Sequence, residues 1–150
     1  MIVGNGEGAQ GAFALEHEPE TTGLVELADW PGAVTRLGIG IAPLADTKFN
    51  RGKSALKVLE LSACGVPWVA SPRAEYTRFH RQGCGVLADK PSRWYRHLRD
   101  LAGNPAMRDE MSAAGRDVAA RWTIEGNAWK WAAAWEDALK VQRQAAVAVG

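Results

Sequence analysis

A chain of 150 residues, 47% hydrophobic and 23% charged, carries enough apolar material for one respectable core and does not have the composition of a disordered segment. Eighteen basic against seventeen acidic residues leave a formal charge of +1, which excludes a global field that would draw the chain to nucleic acid or to a membrane surface. Binding therefore has to be local, and Cys64 and Cys84, without metal-ligand spacing, supply neither a disulfide framework nor a zinc site.

Residues 1–3 read as a short buried strand entering a glycine-rich turn. Gly6, Gly8 and Gly11 satisfy G-x-G-x-x-G, which marks a dinucleotide site when a proper helix follows it. Residues 12–18 are stopped by Pro19, and Phe13, Ala14 and Leu15 would fit a strand as well as a helix, so an NAD-binding Rossmann protein stands only as an alternative. Residues 24–27 are expected as another short strand, residues 30–36 as a short helix, and residues 37–43, apolar almost throughout, as a buried strand of the parallel-sheet type. The loop after it delivers the chain to a cationic segment at the carboxyl end of a strand, where open α/β sheets bind their ligands.

In that segment three cations, Lys48, Arg51 and Lys53, surround the expected start of a helix. At about 100° per residue, Lys53, Lys57 and Glu60 share one stripe while Ala55, Val58, Leu59 and Ser62 share the opposite one. A helix N-terminus disfavours cations, so an anion would relieve the crowding. Phosphate fits, because the free N–H groups near Ser54, Ala55 and Leu56 could bind its oxygens and Lys53 could add an ammonium. A solvated face with a Lys57–Glu60 pair, worth roughly 0.2–0.5 kcal/mol, fits the same pattern.

Gly65 is placed to end this helix, and residues 66–70 form the next strand with Pro67 near its start. Residues 75–82 read as a helix closed by Gly83, and 85–88 as a last strand. From Pro91 onwards the pattern is helical, over about 92–102, 106–122 and 123–145, with Pro91 and Pro105 suiting first turns. In the last helix Trp131, Trp135 and Leu139 form an apolar stripe continued by Ile124 and Ala128, as expected for packing on the chain's own domain; Trp129 points elsewhere. His17, His80 and His97 are far apart, and no metal or hydrolase site is visible.

The run K-S-A-L-K-V-L-E-L-S-A-C-G-V-P-W-V-A-S resembles the donor-site signature of retaining glycosyltransferases with two Rossmann-like domains (the GT-B fold), of the family 4, or group 1, kind. Lys57, Glu60, Ala63, Gly65 and Pro67 fit its K-x-x-E-x-x-A-x-G-x-P pattern. The resemblance is closest to the branch with an N-x-x-K-S-x-L-K string and runs from about residue 1 to about residue 137. It implies an α/β fold, a Rossmann-like parallel sheet with flanking helices and an all-helical C-terminal tail. Residues 1–150 would be a single nucleotide-sugar-binding domain, with its α/β core over about 1–90 and C-terminal helices over about 91–145. The acceptor-binding domain would be absent, since a complete enzyme of this kind is more than twice as long.

By the same resemblance, Asn50, Arg51, Gly52, Lys53, Ser54, Ala55, Leu56 and Lys57 would hold the donor diphosphate, Glu60 the ribose hydroxyls, and backbone around residues 23–26 the base. Similar enzymes often carry a sugar-facing glutamate where this chain has Gly52. No cofactor or metal is expected, and the chain is expected to bind the nucleotide-sugar yet not to transfer sugar alone. A non-catalytic nucleotide- or phosphate-binding module is the rival. The Trp-rich last helix would meet an acceptor-binding domain or a second chain. With no transmembrane run and no signal peptide after Met1, a cytoplasmic location is expected.

Overall fold

Three apolar runs separated by amphipathic segments give a parallel sheet of three short strands, β1 (Gly40–Ala42), β2 (Trp68–Ala70) and β3 (Gly85–Leu87), in the order β1-β2-β3. The computed structural model describes the backbone of residues 1–148 and the side chains of residues 1–140 other than Ala12 and Ala74. Two compact units divide the chain, Met1–Ala119 and Ala120–Gly150.

In the first unit the helices before the sheet are α1 (Ala9–Ala12) and α2 (Trp30–Thr35). Between β1 and β2 lie α3 (Lys48–Arg51) and α4 (Leu56–Ala63), between β2 and β3 lies α5 (Ala74–His80), and α6 (Pro91–Gly103) and α7 (Pro105–Ala119) follow. This is the Rossmann-like α/β arrangement, and the central strand β2 is wholly buried, as a covered parallel strand must be.

Close packing fixes several glycines. The Trp68 indole lies over its register partner Gly85, where a Cβ would come within 2.2 Å of the ring. The indole N–H donates to Ser62 Oγ at 3.0 Å, which joins β2 to α4. On the other side Val69, Ala88 and Leu101 form a buried cluster, with Trp94, Leu98, Met107 and Met111 of α6 and α7 against it. Gly65, at φ +67, ends α4; its N–H donates to Ser62 O and that of Val66 to Leu61 O, the paired bonds that satisfy orphan carbonyls at a helix end.

Several expected elements take another form. Residues 1–3 are not a strand but half-buried chain, tied by single bridges from Ile2 to Thr21 and from Gly4 to Gly23. Residues 24–27 are not a strand either, because the pairing has gone to Thr21 and Gly23; Leu24 and Leu27 are left 93% and 87% exposed. β1 is shorter than residues 37–43: its ladder begins where Gly40 N–H donates to Pro67 O, and proline has no N–H to return. The cationic segment is two helices rather than one, since Thr47 caps a separate turn, α3, which carries Lys48 and Arg51.

In the second unit a 3₁₀ turn (Ala120–Trp122) leads to α8 (Ile124–Ala148). Thr123 Oγ1 accepts from Gly126 N–H and Asn127 Nδ2 donates to Arg121 O and Thr123 O, which organises the helix start. Along α8 the Trp131 and Trp135 rings are neighbours, with centroids 6.4 Å apart and planes tilted by 51°. Among the described residues no helix is long and apolar enough to cross a membrane.

Candidate functional site

The site is built from the end of β1 forward. Ala45 O receives Thr47 N–H (3.0 Å) and Asn50 Nδ2 (2.9 Å), and Thr47 Oγ1 receives Asn50 N–H (3.1 Å), so the loop into α3 is stapled by its own polar groups. Gly52 N–H then closes α3 on Phe49 O at 3.1 Å, and the Lys53 ammonium rests 5.2 Å from the centre of the Phe49 ring. The chain turns into α4 at Ala55, whose side chain is buried and cannot cap. The first bond of α4 runs from Leu59 N–H to Ala55 O. The N–H groups of Leu56, Lys57 and Val58 therefore have no acceptor within the helix and no side-chain cap, which leaves donors at the positive end of its dipole.

Two clefts meet at α4. One, of about 430 Å³, is lined by Lys53, Ser54, Leu56, Lys57, Glu60 and Tyr76 among others. The second, of about 250 Å³ and mostly apolar, is lined by Ile2, Phe13, Val34, Ile39 and Leu61. Trp30, Lys57 and Glu60 border both. The Lys57 ammonium lies 5.9 Å from the centre of the Trp30 ring, and the Trp30 indole N–H is shut away from water with no acceptor among the described residues. One turn on from Glu60, burial first and then the Glu60 carboxylate push the Cys64 thiol above its ordinary pKa.

Of the residues proposed from sequence, Lys53, Ser54, Leu56, Lys57 and Glu60 come together on the larger cleft. Ala55 turns its side chain into the core. Asn50, Arg51 and Gly52 border neither cleft; Asn50 staples the loop, and the Arg51 guanidinium is 3.4 Å from Asp46. Residues 23–26 border neither cleft. The G-x-G-x-x-G turn leads only into the four residues of α1, which is not the long helix that a dinucleotide fingerprint requires. Trp30, Tyr76 and the residues just after β2 escaped the sequence reading. The rule that ligands gather beyond the carboxyl ends of parallel strands pointed to the last of these.

Comparison with curated proteins and with solved structures returns no match. A family model described as glycosyl transferase-like matches residues 30–133, more than half of the chain, and takes in the whole sheet, the cationic loop and α4. Sheet, larger cleft and cationic helix start thus lie within the matched span, and the chain belongs to the glycosyl transferase-like family, in its group 1-like branch.

Proposed function

We propose that this chain is the donor-binding part of a glycosyl transferase and holds a nucleoside diphosphate sugar along the two clefts. The observation that carries this reading is the continuity of the clefts past Glu60. Uncapped N–H groups with Lys53 stand at one end, a carboxylate lies in the middle, and an apolar cavity follows. A diphosphate suits the first, ribose hydroxyls the second, and a planar base the third. As the glycosyl bond breaks, negative charge builds on the departing diphosphate; fixed N–H donors and ammonium groups stabilise that charge without a metal. Transfer also needs an acceptor held at near-attack distance, so a second domain or chain completes the site, with the Trp-rich helix α8 as its contact. The chain alone would give no glycosylated product from a panel of nucleotide-sugars and acceptors.

Calorimetry with UDP and GDP, with and without Mg²⁺, tests the reading. Lys53→Ala is expected to cost about 1.5–3 kcal/mol of binding, as for hydrogen bonds to charged groups. Glu60→Gln is expected to cost more with ribonucleotides than with their 2′-deoxy counterparts. Equal affinity for wild type and Lys53→Ala overturns the phosphate assignment, and equal losses for both sugars overturn that of Glu60. A binding-only module remains the second reading, favoured by Gly52 where a sugar-facing glutamate would stand. Nucleotide binding without transfer, even after an acceptor-binding partner is supplied, would select it.

A further inference from the structure

We propose that Arg73, together with Ser71, is a positioning residue for the donor site, fixing the root of the loop that carries Lys53 to the start of α4. The inference rests on the donor-site reading above. Its basis is the double grip on Leu44, the second residue beyond β1. Leu44 N–H donates to Ser71 Oγ at 2.9 Å, and Leu44 O accepts from Arg73 Nη2 at 2.8 Å. Both backbone groups of one loop residue are thus held by side chains that follow β2. Arg73 Nη1 also donates to Pro72 O at 3.0 Å, so one guanidinium ties the loop after β1 to the loop after β2.

The grip continues into the site. Asp46 lies 3.9 Å from Arg73 Nη1 and 3.4 Å from Arg51 Nη1, which links Arg73 by charge to α3. Through Ala45 O, Thr47 and Asn50 the hydrogen bonds then run on to within three residues of Lys53.

The chemistry of Arg73 suits this task better than a packing role. Its side chain is only 13% exposed, and its Nε is buried with no acceptor among the described residues. Burying a charge and leaving one donor unmet is costly, and an apolar side chain would fill the same space at less cost. A planar fork, however, can reach carbonyls of two separate loops at once, which an ammonium on a flexible stem does poorly. A loop fixed in advance binds more tightly because less ordering is left to the binding step.

The experiment uses the full chain with Arg73→Ala, Arg73→Lys, Ser71→Ala and Lys53→Ala, read by amide hydrogen exchange and by titration with UDP and GDP. In Arg73→Ala, exchange at Leu44, Thr47 and Asn50 is expected to quicken by about tenfold while β2 and α4 keep their protection, and nucleotide affinity is expected to fall by about tenfold. Arg73→Lys recovers part of both. The Lys53→Ala/Arg73→Ala double variant loses less than the product of the single losses, because both act on one loop. Unchanged exchange at residues 44–50, an even rise across the chain, or full nucleotide affinity in Arg73→Ala alongside a loss in Lys53→Ala overturns the proposal. Should Arg73→Ala not fold, Ser71→Ala must show the same localised rise, and its absence is equally decisive. If wild type binds neither nucleotide, the donor-site reading falls and the donor role of Arg73 with it; exchange then decides only whether the clamp exists.

Discussion

Residues 30–119 and residues 1–29 belong to one compact unit but are held by different forces. Each of its largest fully buried side chains, Val58, Ser62, Trp68, Val69, Phe79, Cys84 and Leu101, lies in the later region. In the earlier one the buried apolar residue among the described residues is Ala9, and the chain is tied instead by threonines: Thr22 Oγ1 accepts from Gly4 N–H, Thr21 Oγ1 accepts from Gly23 N–H, and Thr22 N–H donates to Ile2 O. Area removed from water accumulates over a whole core, whereas each net hydrogen bond adds only about 1 kcal/mol. Cooperative stability should therefore reside beyond Trp30, which is also where the family match begins. The first segment should open on its own, at lower free energy.

The largest effect expected from this contrast is in the core. Trp68→Ala should lower unfolding free energy by about 3–5 kcal/mol, the range for truncating a buried aromatic, as read from urea titration. Gly85→Ala should also be severely destabilising, because its Cβ would strike the indole, yet nearly neutral in a Trp68→Ala background where the ring is gone. Two independent, additive losses would show that Gly85 is needed for something other than room for Trp68.

Thr22→Val probes the other region at a smaller scale. It removes the acceptor for Gly4 N–H and should cost about 0.5–1.5 kcal/mol, with faster amide exchange confined to residues 1–23 and an unchanged unfolding midpoint for the core. A shift of the global midpoint would mean that the two regions unfold as one.

The same division governs what could be read from sequence. Local punctuation was legible: Pro91 and Pro105 open helices, Gly65 ends one, and the apolar runs around Ile41, Val69 and Val86 are the strands. The 3.6-residue period placed Lys57, exposed, and Glu60, half-buried, on one stripe opposite buried Val58 and Ser62, while Lys53, expected on the same stripe, lies before the helix starts. What failed depended on partners distant in sequence. Leu24 and Leu27 look like strand residues, but Thr21 and Gly23 make the pairs. Arg51 looked like a free cation until Asp46 came beside it, and nothing local marks Arg73, whose partner Leu44 lies across the sheet's carboxyl edge. Periodicity gives the faces of elements; it does not say which loops meet.

Alkaline pH should weaken the core region further, by less than the core substitutions. Burial, and then Glu60, raise the Cys64 thiol in the folded chain, and burial raises the Tyr76 hydroxyl. Below the unfolded-chain pKa both states are protonated and stability is complete. As pH rises from there through the folded value, the unfolded chain ionises first and stability falls. Urea midpoints should decline from neutral pH into this alkaline range, and less steeply in Cys64→Ala. A decline of the same slope in that variant would assign the loss to other groups.

The smallest effect is expected at the residues that most resemble a core by composition alone. Leu24 and Leu27 are 93% and 87% exposed, so folding removes almost none of their surface from water and a polar substitution forfeits almost no transfer free energy. No cavity is created either, since neither side chain fills one. Leu24→Ser and Leu27→Ser should therefore each change unfolding free energy by no more than about 0.5 kcal/mol, the usual range for surface positions, with an unchanged slope in urea. A loss of several kcal/mol from either would mean that these leucines are covered in solution and that the first segment carries an apolar contact of its own, which would erase the distinction between a region held by burial and one held by threonine hydroxyls.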